Sequence, residues 1–253
     1  MLRTGPSARS VAAGRDQSPG EEIANAVSHA VGALAAVAAI PVLLVNSVAG
    51  GSPAVEIFAV SLFGVSMVGM YVISALYHAL PGEPRSGAVG ATSRSRLESR
   101  SHSARSRLES RSYRAKRVFW LLDHSAIYVL IAGTYTPFAL GVFKEAWGWP
   151  MFALVWGLAA AGVLLKALGG GRHPIVSSGL YLGMGWLVLA AAGPLFDVLP
   201  FAGFLWLLAG GVAYTLGVVF FALDERVRYA HFIWHLFVLT GTACHFVAVL
   251  GYA

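Results

Sequence analysis

The chain has 253 residues, of which 57% are hydrophobic and only 12% are charged, and its mean hydropathy is +0.68. An ordinary globular domain carries about 25% charged residues, so this composition excludes a soluble protein. The net charge of +6 does not indicate nucleic-acid binding, because residues 93–112 alone contribute +4 of it, with six Arg against two Glu. No folded basic face is left that could hold a nucleic acid.

The first 20 residues are polar, with three arginines, and they lack the apolar core of a signal peptide. We therefore expect residues 1–20 to form a short cytoplasmic tail and residues 21–253 to form one membrane domain. The single cysteine, Cys244, cannot form an internal disulfide.

Seven apolar runs follow the tail, each with roughly the 20 residues needed to cross a hydrocarbon core. Short breaks rich in turn residues separate the runs. The predicted spans cover residues 23–45, 54–80, 118–140, 150–168, 175–196, 201–222 and 229–250. The sequence therefore predicts an all-α membrane protein built as a bundle of seven transmembrane helices.

The distribution of Lys and Arg predicts the orientation, since these residues are retained on the cytoplasmic side when they lie in short loops. With the amino terminus inside, 17 of the 18 Lys and Arg lie in inner segments and only Lys144 lies outside. We expect a multi-pass protein of the bacterial inner membrane with a cytoplasmic amino terminus.

Residues 82–116 form a basic loop between the second and third spans, in which Arg94 to Ser101 recurs as Arg105 to Ser112. Ser and Arg dominate this stretch, so we expect a disordered cytoplasmic loop. Attraction to anionic lipid is one interpretation. A tolerated low-complexity insertion is the simpler interpretation, and we favour it.

Ionisable residues inside a span are costly and indicate a functional site. At about 1.5 Å per residue, Asp123 lies about 7 to 8 Å along the third span, and His231 and His235 lie about 3 and 9 Å along the seventh. His78 lies near the inner end of the second span, and Ser74 is one helical turn deeper on the same face. All five residues are therefore expected at one level of the cytoplasmic leaflet.

Two histidines four residues apart share one helix face, as two ligands of one metal require. His78 would supply a third imidazole from another helix, so we predict that His78, His231 and His235 bind a metal. The ligand type favours zinc, and it also suits iron, copper or nickel. Three protein ligands leave a fourth position for water, which Asp123 or Ser74 could hydrogen-bond. The alternative is a set of separate interhelical hydrogen bonds.

The remaining histidines are expected outside this site. His245 lies about 15 Å further along the seventh span than His235, so we expect it to be hydrogen-bonded near the outer end. His124 points about 100° away from Asp123, so the two cannot face one metal. His102 and His173 fall in loops. Three residues of the first span, which could form a second shell or a helix-packing contact, share one helix face at the depth of the site: Glu22, Asn25 and His29.

Five segments of this sequence together resemble the bacterial hemolysin III family of the progestin and adipoQ receptor superfamily. They read EEIANAVSHAVG, SALYH, LLDHSAIYVLIAGTYTPF, YLGMGW and HFIWHLFVLTGTACHF. The resemblance implies seven membrane helices and a zinc ion held by His78, His231 and His235, with Asp123 bonded to the zinc water. It also implies a link to alkaline ceramidases, which hydrolyse lipid amides. The family name implies cytolysis, for which a buried site in seven helices gives no physical reason.

Two functions remain open on the sequence. The first is a zinc-dependent intramembrane hydrolase of a lipid amide or ester, with Asp123 as proton acceptor and Ser74 as a supporting hydrogen-bond donor. The second is a non-enzymatic sensor or regulator in which zinc locks the inner ends of the spans together. A transporter or cytolytic pore is a weaker third, because only one carboxylate lies clearly within the spans. Membrane lipids are the expected partners.

Overall fold

The structure is a computed structural model that describes residues 15–81, 96–143, 147–168 and 174–253, and these residues contain helices and no β-strand. A π-helical turn, Phe138–Val142, continues the third helix, and a 3₁₀ turn, Trp186–Ala191, follows the fifth. The α-helices are α1 (Pro19–Ala49), α2 (Ala54–Ala79), α3 (Arg96–Pro137), α4 (Gly148–Ala167), α5 (Pro174–Gly185), α6 (Ala192–Val198), α7 (Phe201–Ala222) and α8 (Ala230–Tyr252).

Six of these helices are long and apolar enough to cross a membrane: α1, α2, α4, α7, α8 and the Arg114–Val142 part of α3 with its π-helical turn. Large apolar side chains on their outer faces are exposed, among them Leu34 at 73% and Phe201 at 69%. Soluble proteins rarely expose so much apolar surface, whereas a lipid environment covers it. The all-α membrane bundle is therefore confirmed.

The fifth predicted span, residues 175–196, is not one continuous α-helix. It consists of α5, the 3₁₀ turn and the short helix α6, and its shorter apolar helical part is Val176–Leu189. A proline at position 194 favours an interruption in this region, because it has no N–H to donate to the preceding helical turn. Glycines at positions 179, 183 and 185 weaken the helix further.

Helix α3 begins at Arg96, inside the segment 82–116 for which the sequence predicts a disordered loop. Residues 82–95 lie outside the described part of the chain. The helical conformation from residue 96 onward has a physical basis, since Arg, Leu, Glu and Ala are all good helix formers and the 11-residue repeat equals about three helical turns.

The helices follow one another around the bundle in chain order. Contacts join α1 to α2, α2 to α3, α3 to α4, α4 to α5, α5 to α7 and α7 to α8, and α8 returns to α1. The start of α1 therefore lies beside the end of α2 and the start of α8. We call this the site end of the bundle, because the functional residues described next lie there.

Glycines allow α7 and α8 to approach closely. A Cβ atom at Gly217 would lie 2.7 Å from the Trp234 ring, and one at Gly210 would overlap the His245 ring. Membrane helices commonly pack through small residues of this kind, because van der Waals contact replaces the hydrophobic effect as the driving force.

Candidate metal centre

Three histidines come together at the site end of the bundle. His231 and His235 lie one turn apart on α8, and His78 arrives from the last turn of α2. One ring nitrogen of each lies within 4.8 Å of the corresponding nitrogens of the other two, so this group could hold a metal ion. The structure thus brings together the three residues that the sequence predicts as ligands.

An oxygen atom engages the Nδ1 nitrogen of every one of these rings. Nδ1 of His78 lies 2.6 Å from Oε2 of Glu22, and Nδ1 of His231 lies 3.1 Å from Oδ2 of Asp224. Nδ1 of His235 lies 3.2 Å from the carbonyl oxygen of Asn25 and 3.1 Å from the Ser28 hydroxyl. Metal-ligating histidines almost always donate their second ring nitrogen to such an oxygen, which fixes the tautomer and the ring orientation.

This arrangement leaves the three Nε2 atoms as the available ligands. Nε2 of His78 is buried and has no hydrogen-bond partner. Three neutral imidazoles with acceptor-bonded Nδ1 atoms fit a zinc ion, whose nitrogen ligands lie about 2.0–2.1 Å from the metal. Binding would draw the rings slightly closer together than they lie here.

Lys116 connects the site to a fourth helix, α3. Its ammonium group donates to Oε1 of Glu22 at 2.9 Å and to the carbonyl oxygen of Leu80 at 2.9 Å. Glu22 therefore bridges a cation on α3 and an imidazole on α2. The pairing holds the carboxylate against Nδ1 of His78, which fixes the orientation of that ring.

Asp123 and Ser74 are buried side chains that do not belong to the histidine group. Asp123 is 6% exposed, its Oδ1 atom has no hydrogen-bond partner, and its Oδ2 atom lies 3.7 Å from Nδ1 of His124. The Ser74 hydroxyl, one turn before His78 on α2, is also buried and unpaired. Buried polar atoms without partners are rare and require an explanation, such as a catalytic role or a bound water or ion.

A fourth histidine lies against the group. The His29 ring stacks on His235 with 3.5 Å between the ring centroids and 7° between the planes, and an edge contact joins it to Tyr71. From the sequence alone, the first-span residues could either support the ligands or form a helix-packing contact. The side chain of Glu22 and the backbone of Asn25 bond the histidines, whereas His29 packs against them.

The other histidines lie apart from the group. Nδ1 of His124 donates to the Trp120 carbonyl oxygen at 2.9 Å. Nε2 of His245 donates to the Leu207 carbonyl oxygen at 3.3 Å, so this histidine is hydrogen-bonded as predicted. His173 and the side chain of His102 lie outside the described part of the chain.

The loop between α7 and α8 carries a residue that the sequence reasoning missed. Asp224 lies in the break between the sixth and seventh predicted spans, and its Oδ2 atom lies 3.1 Å from Nδ1 of His231. Glu21 holds this loop in place, because its Oε1 atom accepts the Tyr229 N–H at 2.7 Å. The same atom is 2.6 Å from the guanidinium group of Arg15. Arg15 also donates to the Asp224 carbonyl oxygen at 3.4 Å. Tyr229 has a positive φ of 60°, which is uncommon for a residue other than glycine. The only sequence signal for the contact between Asp224 and His231 is that an acidic residue lies seven residues before a predicted ligand.

Comparisons with known proteins identify the relatives of this chain. The family model "Haemolysin-III related" matches residues 18–88 and 102–246, and the gap falls in the Ser/Arg-rich stretch. Hemolysin-3 of Bacillus cereus is 37% identical over 232 residues, covering 92% of this chain and 91% of the relative. The hemolysin-3 homolog of Bacillus subtilis (strain 168) is also 37% identical, with 94% of its length covered.

A more distant relative is the human monocyte to macrophage differentiation factor, which is 27% identical over 76% of this chain and 68% of its own length. This similarity fits the progestin and adipoQ receptor superfamily. Because the family model and both Bacillus relatives cover most of the sequence, the chain belongs to the haemolysin-III related family.

Proposed function

We propose that this protein is a zinc-dependent hydrolase of lipid amides or esters in the bacterial inner membrane, with its site at the cytoplasmic side. The observation that carries the proposal is the histidine group, in which every Nδ1 atom is engaged by an oxygen and the Nε2 atoms remain for a metal. Three protein ligands leave one coordination position open, which is typical of catalytic rather than structural zinc. Bound zinc would supply Lewis acidity, polarising a carbonyl oxygen and making a water more acidic.

The residues around the histidines supply the remaining chemistry. Oδ1 of Asp123 is an unpaired buried acceptor, so it can take a proton from an attacking water and later return it to the leaving group. The unpaired Ser74 hydroxyl can donate a hydrogen bond to the substrate or to that water. Neither role needs a change in the backbone, because both side chains already lie on rigid helices.

An apolar cavity inside the bundle favours a lipid substrate. Its lining includes Trp234, the sequence neighbour of His235, and Met70, which is one turn from Ser74 on α2. An alkyl chain can occupy this cavity. Apolar pockets with a few converging polar groups are the usual form of small-molecule sites.

The test compares zinc content and turnover of a short-chain ceramide in the wild type and in Asp123→Asn. We expect the variant to keep most of its zinc and to lose about 100- to 10,000-fold in rate, the usual contribution of a general acid or base. The exposed Asp197→Asn is the matched control and should keep both. Zinc loss as severe as that of His235→Ala would make Asp123 a ligand, and unchanged turnover would remove it from the mechanism.

A second candidate is a non-enzymatic sensor or regulator with structural zinc. The bonds from α1 and the α7–α8 loop to the histidines, and from α3 to Glu22, favour it, because a metal would lock several elements of the site end at once. A wild-type protein that binds zinc and hydrolyses none of a wide range of lipids would favour this candidate. A cytolytic pore, which the names of the Bacillus relatives suggest, finds little support in an interior lined mainly by apolar side chains.

A further inference from the structure

A long cavity lies inside the bundle, and the three histidines of the candidate metal centre are not among its lining residues. Along α8 its lining runs from Trp234 to His245, about 16 Å at the rise of an α-helix. Most of its lining side chains are aliphatic or aromatic and come from α3, α5, α7 and α8. Of the lining residues on α8, His245 is the furthest from the candidate metal centre.

The cavity reaches the lipid-facing surface where the fifth predicted span is interrupted. Among its described lining residues, only Gly185 and Leu189 are exposed, and they flank the change from α5 to the 3₁₀ turn. A lipid could enter the cavity there from the membrane without passing the site end. Entry at this point would place the lipid between α5 and α7.

The hydroxyl groups of the lining are already bonded to protein atoms. The Tyr135 hydroxyl donates to the carbonyl oxygens of Met184 and Gly185, and the Tyr181 hydroxyl donates to that of His124. The three other hydroxyl side chains of the lining are also hydrogen-bonded: Thr134, Tyr214 and Thr215. Because these hydroxyl groups already have hydrogen-bond partners, the cavity is effectively apolar.

His245 differs from them, because its Nδ1 atom is buried and has no hydrogen-bond partner. Its Nε2 atom faces the Leu207 carbonyl oxygen, which can only accept, so the proton of the neutral ring lies on Nε2. Nδ1 therefore presents a lone pair and can only accept a hydrogen bond. A buried acceptor without a partner carries a desolvation penalty that a donor group would relieve.

We propose that the cavity binds a single-chain lipid whose hydroxyl group donates a hydrogen bond to Nδ1 of His245. The required chemistry is an apolar body with one hydrogen-bond donor, as in a long-chain alcohol, and a molecule that offers only acceptors fits poorly. The binding needs neither metal nor hydrolysis, so the proposed enzymatic activity can fail without affecting it.

The experiment measures binding of bromine-labelled dodecanol and of its methyl ether, which lacks the donor, to the full-length protein in lipid nanodiscs. Bromine quenches tryptophan fluorescence, and Trp186 and Trp234 both line the cavity. We expect the alcohol to bind about 3- to 10-fold more tightly than the ether, the effect of one neutral hydrogen bond. The ratio should not change when the metal is removed with a chelator.

Variants at position 245 test the assignment. His245→Leu should bring the ratio of alcohol to ether affinity to about one, whereas His245→Gln should keep part of it, because an amide can donate to Leu207 and still present an acceptor. Thr134→Val, whose hydroxyl bonds only its own helix, should leave the ratio unchanged. Equal affinities for alcohol and ether in the wild type, or an unchanged ratio in His245→Leu, would overturn the proposal. If His245→Leu does not fold, the wild-type ratio and the Gln variant still decide.

Discussion

The two ring nitrogens of each of the three histidines have different surroundings. Nδ1 meets an oxygen of α1 or of the α7–α8 loop, which leaves Nε2 as the nitrogen that could bind a metal. Because the oxygen partners fix the tautomers, the group could accept a metal without a change of tautomer. Separate interhelical hydrogen bonds alone would not require three rings to converge.

Replacing His78, His231 or His235 with Ala should lower metal content and thermal stability together. A bound metal stabilises the folded state by mass action, by about 2.7 kcal/mol when its concentration is 100 times the dissociation constant. Metal analysis and a melting curve with and without added zinc measure both effects. His245→Ala should keep its metal, and equal metal loss from His245→Ala and His235→Ala would contradict the assigned ligands.

Glu22→Gln should weaken zinc binding by about 10- to 100-fold, because partners of the ligands contribute on that scale. The amide cannot balance Lys116 and holds the His78 ring less firmly. Competition with a calibrated chelator measures the affinity. Glu225→Gln, on the exposed part of the α7–α8 loop, is the control and should bind zinc normally. Equal affinities in the two variants would remove Glu22 from the site.

At the scale of elements, the segment before α1 clamps the α7–α8 loop. Glu21 also caps its own helix, since its carboxylate accepts the Ser18 N–H at 2.9 Å while its backbone N–H donates to the Ser18 hydroxyl at 3.4 Å. One carboxylate thereby joins the start of α1 to the start of α8. The same contact supports the positive φ of Tyr229, two residues before His231.

Glu21→Gln should lower the melting temperature by several degrees, since the amide weakens the Arg15 pair, the cap and the bond to Tyr229. Asp197→Asn, which changes an exposed carboxylate to an amide, should leave it unchanged. Limited proteolysis near residues 223–229 should be faster in Glu21→Gln than in the control. Equal melting temperatures and equal cleavage rates would show that the clamp contributes nothing.

At the scale of the whole molecule, the excess of Lys and Arg predicts that the site end faces the cytoplasm. A cysteine at position 102, in a Cys244→Ser background, should be protected from a membrane-impermeant thiol reagent in intact cells and should react after permeabilisation. A cysteine at position 144 should react in intact cells. Reaction at position 102 from outside would reverse the topology and place the histidine group in the outer leaflet.

The sequence alone predicts the bundle, seven spans of which six are continuous in the structure, and the three histidines. The length of an apolar run can be compared with the membrane thickness, and the rise per residue converts a position in a span into a depth. Span length and depth are both measured along the helix axis, so residue numbers alone are enough to derive them. His78, His231 and His235 were selected in this way, and their convergence within 4.8 Å agrees with it.

Tertiary structure decided what depends on the rotation of helices about their axes and on loop conformation. The bond of Asp224 to His231, the bridge from Lys116 to Glu22 and the stacking of His29 on His235 all require particular neighbours around the ring of helices. The interruption of the fifth span and the opening beside it follow from local breaks that an apolar run conceals. The unpaired, buried Nδ1 of His245 also depends on tertiary structure, because only packing decides which polar atoms are left without partners.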